Sequence, residues 1–317
     1  MSKSLYSAPH FNDEAAAYAF VEKLLWADGR VCPHCGVVDR SGPLGGKSSR
    51  IGLYKCYACR KPFTVKVGTI FEDSHIAMRD WLTAIQLICS SKKGISANQL
   101  SRTLGITLKS AWFLGHRIRE AMAPATNAAA LGGEGMIVES DETEISYSRK
   151  TKKTPARART QDRKRFVSLV ERGGRVRSKV ITGAEGPIEK QVVKALKDTM
   201  DPKSTLHTDS AHHYRRAYAS AKHEEVNHQY EYARDKEDGT VVHVNTAEGY
   251  FSIFKRGLVG TYQHMSEQHL HRYLAEFDFR MSNRARLGVN DTMRAEKALK
   301  GVVGKRLTYR TPSGQQV

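Results

Sequence analysis

Three carboxylates, far apart along the chain, stand where a strand or a helix could present them. Asp141 lies within "MIVESDETEI", Asp209 directly follows "STLHT", and Glu248 sits inside "HVNTAEGYFSIFKRG". Glu248 is the one acid between Asp238 and Glu267, in a stretch that is otherwise basic and aromatic. Acids at strand ends and on a crossing helix can meet at one point of a mixed sheet, where three like charges repel. One or two Mg2+ or Mn2+ ions relieve that repulsion, and a pair of them about 4 Å apart activates a nucleophile and stabilises the leaving oxygen of a phosphodiester. Lys255 follows Glu248 by two helical turns, so both project from nearly the same face, with Arg256 beside it to address a phosphate backbone. Spacing alone leaves the set open. Glu139, Glu142 and Glu144 crowd Asp141, strand alternation puts Glu139 on the same face, and most carboxylates in any chain are surface residues. His207, His212, His213 and His243 flank the same motifs, as orienting groups for phosphate or water or as local hydrogen-bonders.

A second chemistry is written in cysteine. Cys32-x2-Cys35 and Cys56-x2-Cys59 are separated by 20 residues, the two-knuckle spacing that lets four thiolates converge tetrahedrally on one zinc ion. Four thiolates leave no open coordination position, so this zinc is expected to be structural. Lys55, Arg60 and Lys61 surround the second knuckle and could touch phosphates, while Cys89, alone in an apolar run, reads as a small buried hydrophobe.

Charge identifies the partner class. The 317 residues carry 51 Lys+Arg against 33 Asp+Glu, a formal net charge of +18, which implies a polyanion. No apolar run approaches the roughly 18 residues that span a bilayer, and acids stand where a signal peptide would have its apolar core, so a cytosolic protein bound to double-stranded DNA is expected. Most of the charge lies between Tyr147 and Val180, where 13 Lys+Arg, among them Arg163, Lys164 and Arg165, meet only Asp162 and Glu171. Carried on a hairpin, these cations would track a phosphate backbone.

The elements that must position these groups follow from periodicity. Residues 1–30 hold a short amphipathic helix, and 31–75 lose helical period to Gly, Pro and Cys, as a zinc ribbon would. Residues 76–123 are helical again. Within them "ISANQLSRTLGITLKSAWFLGHRIREAM" has helix-turn-helix proportions, with a first helix over residues 97–104, Gly105 at the turn and a second helix carrying Lys109, His116, Arg117 and Arg119 toward a major groove. The run "PATNAAALGGEG" at 124–135 reads as a linker. Residues 136–285 begin with strands, "MIVESDETEIS", then "RFVSLVERGGRVRSKVITG" as a hairpin, then "STLHTDS". Helices follow or intervene at "PIEKQVVKALKDTM", "SAHHYRRAYASA", "NTAEGYFSIFKRGL" and "SEQHLHRYLAEFDFRMSN", making a mixed α/β domain, and 286–317 reads as a C-terminal tail.

Taken together, "CPHCG", "YKCYACRKPFTVKVGTIFEDS", "VESDETEI", "HTDSAHHY" and "HVNTAEGYFSIFKRGLVGTYQHMSEQHLHRYLAEFDFR" resemble the zinc-ribbon DDE transposases of bacterial insertion sequences, relatives of Merlin elements. The resemblance covers nearly the whole chain and implies an RNase H-like catalytic domain, with Asp141 as first acid, Asp209 as second and the "NTAEGYFSIFK" helix as bearer of the third. Some members place Asn in the third role, and Asn245 precedes Glu248 by one turn. Glu248 is preferred, because an anionic oxygen binds Mg2+ more strongly than an amide does. The resemblance further implies recognition of terminal inverted repeats, metal-dependent cleavage there, strand transfer by the released 3'-hydroxyl, and a homodimer or larger assembly to join two ends. The alternative is a zinc-ribbon, helix-turn-helix regulator that binds DNA without cutting it.

Overall fold

In a computed structural model, which describes residues 4–46, 49–146, 163–209, 214, 222–227 and 230–308, the chain forms two units. One comprises Met1–Ala123 with Val289–Val317, the other Pro124–Gly288.

The first unit opens with α1 (Glu14–Leu25), started by Asp13, whose carboxylate accepts the Ala16 amide. Three short antiparallel strands, β1 (Ser41–Pro43), β2 (Tyr54–Cys56) and β3 (Pro62–Phe63), make the ribbon. Three helices follow: α2 (Met78–Ser90), α3 (Ala97–Leu104) and α4 (Leu108–Met122). Local capping fixes the last two. Ser96 accepts the Gln99 amide, Thr107 accepts the Ser110 amide, and between them Gly105 takes the left-handed conformation (φ 66°) that ends α3. α2 has no such local cap. Its orphan amides at Met78 and Arg79 donate to Glu14, 64 and 65 residues away.

The second unit is built on a mixed five-stranded sheet of β4 (Ile137–Ser146), β5 (Arg163–Glu171), β6 (Val176–Ile181), β7 (Thr205–Asp209) and β8 (Lys222–Val226), in the order β6-β5-β4-β7-β8. The first three run antiparallel, and β7 and β8 join parallel to β4, the RNase H-like arrangement. Helix α5 (Ile188–Thr199) connects β6 to β7 and packs on β5 and β6. Beyond β8, a two-stranded ribbon of β9 (Arg234–Asp235) and β10 (Val241–Val242) leads into α6 (Asn245–Gly257), and α7 (Glu267–Ser282) follows. Residues 166–170 of β5 are buried throughout because helices cover both faces of the sheet. Phe166 and Val170 face Tyr250, Phe254 and Phe277 of α6 and α7, whereas Val167 and Leu169 face Val192 and Leu196 of α5. The expected strands and hairpin are present; the helix expected over "SAHHYRRAYASA" lies outside the described residues except for Tyr214.

Two boundaries differ from the sequence reading. The stretch 124–135 is docked rather than free: the Leu131 amide donates to the Thr199 carbonyl, and the carbonyls of Ala129 and Ala130 accept from Arg175 and Arg177. Small side chains here let the backbone approach its partners. The supposed tail contains α8 (Asp291–Lys300), which packs on α2, α1 and α4 in the first unit. Among the described residues no helix is long and apolar enough to cross a membrane.

Candidate active site and metal centre

The four cysteines converge as their spacing demands. Their sulfurs all lie within 4.8 Å of one another, with Cys32 and Cys59 3.7 Å apart and Cys35 and Cys56 also 3.7 Å apart. A tetrahedron with Zn–S bonds of about 2.3 Å has edges of about 3.8 Å, so the donor set fits zinc. Backbone amides of Cys59 and Ala58 draw the Cys56 thiol down, the direction that favours a thiolate ligand. Beneath the knuckles lies only a small core of Cys32, Cys56 and Phe63, with Trp26 edge-on to both Tyr54 and Phe63. So little apolar surface cannot hold residues 31–63 without the ion. Cys56→Ala is therefore expected to lower bound zinc from one equivalent per chain to near none, by elemental analysis, and to speed hydrogen exchange through β1–β3 while β4–β8 exchange unchanged.

Two of the acids, Asp141 and Asp209, stand side by side on the sheet of the second unit. Parallel pairing of β4 with β7 aligns Ser140 with Thr208, which makes Asp141 and Asp209 neighbours across strands about 4.8 Å apart. Alternation fixes the face. Val138 and Leu206 point into the core beneath α5, so Glu139, Asp141, His207 and Asp209 project from the opposite face, the one that α6 and α7 cover. Desolvation, then the Asp209 charge, push the Asp141 carboxyl up to about 7; the Glu142 amide opposes this weakly at 2.7 Å, and Glu142 and Glu248 add to the rise. Oxygen donors of like charge set side by side in a half-buried place are the chemistry that a divalent metal satisfies. The carboxylates are more loosely gathered than the sulfurs: among the described residues only the cysteines bring three or more ligand atoms within 4.8 Å. Glu248 and Asn245 both lie exposed in the first turn of α6, and Lys255 and Arg256 are exposed in its last.

Glu139 has a different occupation from Asp141. It is fully buried, and its Oε2 accepts the amides of Thr246 at 2.8 Å and Ala247 at 3.1 Å, while Oε1 accepts the Thr246 hydroxyl at 2.9 Å. Val244, at the N-cap position of α6, has no acceptor of its own, so Glu139 caps this helix from a strand more than 100 residues earlier. Arg172, just past the end of β5, donates through Nε to Glu139 Oε1 at 3.0 Å. Nothing in the sequence singles out Arg172, one cation among 13 in its run.

Several cations chosen from the sequence as DNA contacts face inward. Arg117 is 5% exposed, donating from Nε to the Leu307 carbonyl and from Nη2 to that of Glu72. Arg119, 4% exposed, lies over Gly115, where a Cβ would crowd its guanidinium at 3.3 Å. Neither presents its charge to a phosphate, because the last two turns of α4 are buried within their unit. Lys109 is exposed near the start of α4, beside Thr107 and Leu108. Lys164, half-buried, donates to the Met265 carbonyl, and Arg165, also half-buried, pairs with Glu144. The side chain of Arg163 and residues 147–162 lie outside the described residues.

Comparison with known proteins agrees with this geometry. The ISXO2-like transposase domain matches residues 130–282, which contain the sheet and both acid-bearing strands, and the transposase zinc-ribbon domain matches residues 12–62, which contain all four cysteines. An uncharacterized protein in transposable element ISH50 of Halobacterium salinarum is 27% identical over 289 residues, covering 85% of this chain and 91% of that protein. With the ribbon and the transposase domain in the same order on one chain, the protein belongs to the zinc-ribbon transposases of insertion sequences.

Proposed function

We propose that this transposase binds the terminal inverted repeats of its element as double-stranded DNA, cleaves there and transfers the freed strand, with Asp141, Asp209 and Glu248 holding divalent metal. The reading is carried by the β4–β7 register, which makes Asp141 and Asp209 neighbours on one face of the sheet; burial first, then the charge of Asp209 and more weakly that of Glu248, raise the Asp141 carboxyl there. Glu248 is preferred over Asn245 because its charge reaches Asp141 and an anionic oxygen is the stronger Mg2+ ligand. Mg2+ or Mn2+, when bound, supplies Lewis-acid stabilisation of a phosphodiester and a lowered pKa for water. The protein's own part is to hold the acids rigidly on paired strands, to offer Lys255 and Arg256 to the phosphates, and to read base edges with the exposed start of α4, Thr107, Leu108 and Lys109. Two ends must be joined, so the working form is a dimer or larger.

The test uses a labelled duplex carrying the repeats that flank the coding region, with Mg2+ or Mn2+. The wild type should nick it, and Asp141→Asn and Asp209→Asn should bind it equally well yet cleave at least about 1,000-fold more slowly, since each loses roughly 4 kcal/mol of metal-borne stabilisation. Equal behaviour of all three proteins would leave a DNA-binding regulator.

A further inference from the structure

We propose that Glu139 and Arg172 are positioning residues that lock the start of α6 against β4 and β7 and thereby aim Glu248 at the metal site. The inference rests on the proposed catalytic reading and concerns two residues outside the acid triad.

Arg172 is the hub. Beyond its bond to Glu139, Nη1 donates to the Val241 carbonyl at 2.8 Å, and Nη2 lies 3.2 Å from Nδ1 of His207, 3.2 Å from Nδ1 of His243 and 3.1 Å from the His243 carbonyl. Nη2 shares its two hydrogens among these three acceptors, and because a guanidinium only donates, an imidazole Nδ1 that takes one of them is bare. The Asn245 amide, donating to the same His243 Nδ1 at 3.3 Å, requires this too. His243 Nδ1 stands 3.3 Å from Glu139 Oε1, but as an acceptor it forms no ion pair there, so Arg172 is the cation that balances the buried carboxylate.

One guanidinium thus joins Glu139 on β4, His207 on β7 and the segment 241–243 that enters α6. Glu139 and His207 each precede a proposed ligand by two residues on the same strand face, so the lock lies one step along the strands from Asp141 and Asp209. Glu139 then grips the first amides of the helix that carries Glu248 three residues into its first turn. A helix gripped by its end amides cannot slide or roll without breaking charge-assisted bonds in a buried place. Groups that orient metal ligands in this way commonly change metal affinity by 10–100-fold.

The experiment titrates Mn2+ calorimetrically into zinc-loaded, full-length protein. Glu139→Gln puts an amide NH2 against either the helix amides or Arg172 Nε, so donor meets donor. It should weaken Mn2+ binding 10–100-fold with near-UV circular dichroism unchanged, and Glu248→Gln should do the same. Because one residue acts through the other, the double variant should bind no more weakly than Glu248→Gln alone. A merely structural role for Glu139 predicts instead that the two losses multiply. That result, or Mn2+ binding by Glu139→Gln within twofold of wild type, or a Glu248→Gln variant with full affinity, overturns the proposal. If Glu139→Gln fails to fold, Thr246→Val carries the test: it deletes one donor to Glu139, should weaken Mn2+ several-fold, and overturns the proposal if it binds as wild type. Failure of the catalytic reading looks different, since Asp141→Asn would then leave Mn2+ binding unchanged.

Discussion

A chain ended at Gly288 is expected to lose the cooperative fold of its first unit, although the deleted residues follow the transposase domain and read in the sequence as a tail. Val289, Ala295, Ala298, Leu299, Val302 and Leu307 are buried, and the four larger ones contribute roughly 1.5–3 kcal/mol each. Deletion also strips the partners of groups that stay behind. Arg117, buried within α4, loses the Leu307 carbonyl; the Cys89 carbonyl at the end of α2 loses Arg294; the carbonyls of Ala121 and Ala123 lose Lys305; and the Gly68 carbonyl loses the Gly304 amide. A buried charge or polar group left unpaired costs about 1–3 kcal/mol or more. The sum is as large as the whole stability of an ordinary domain, about 5–15 kcal/mol. The readout is clean, because all three tryptophans, Trp26, Trp81 and Trp112, belong to this unit. Their emission should shift to the red and their thermal transition should vanish. A truncated chain that keeps the cooperative tryptophan transition would refute the argument.

What the sequence could show was decided by how local the cause was. Alternating apolar residues placed β4, β5 and β7, and with them Asp141 and Asp209, because a strand's faces are set by neighbours two residues away. The turn from α3 to α4 was legible for a similar reason: Ser96, Gly105 and Thr107 act within three residues. Illegible were the features whose partner is remote. Arg117 looked like a groove-reading cation until the Leu307 carbonyl, 190 residues on, covered it. Glu139 read as a rival to Asp141 on the same strand face, and nothing marked Glu14, yet each caps a helix whose own N-cap residue, Val244 or Ala77, has no acceptor to offer. The short strand "KHEEV" is too polar to signal β8, which forms because its backbone completes the edge of β7. α8 carries so many charges that its four buried positions do not stand out.

The node that ties α6 and α7 to the sheet gives the second large effect, one with a pH signature. Asp278 of α7, buried, accepts the Tyr250 hydroxyl at 2.5 Å, the Ser178 hydroxyl at 2.7 Å and the Ser178 amide at 2.6 Å, joining α7, α6 and β6 through one carboxyl. Asp278→Ala leaves three donors short of their acceptor, the buried Tyr250 hydroxyl and the hydroxyl and amide of half-buried Ser178, at about 1–3 kcal/mol for each that stays buried and finds no other. Tyr250 lies two residues after Glu248, so the loss falls on the helix that carries the third acid. Burial raises Asp278 to about 6, against the three hydrogen bonds that pull it down. The folded state therefore binds this proton more tightly than the unfolded chain, whose carboxyl titrates near 3.9. The stability the group contributes is complete below about pH 4 and declines as pH rises through about 6, by roughly 2 kcal/mol between about pH 4.5 and 7.5. Alanine cannot titrate, so the cost of Asp278→Ala should shrink by that amount over the same interval. Hydrogen exchange of the slowest amides in β5 and β6, measured for both proteins at the two pH values, reports it directly. A cost that is constant or grows with pH would mean that Asp278 is held as an anion, and that the buried node is an ion pair with Arg177 rather than a protonated hydrogen-bond centre.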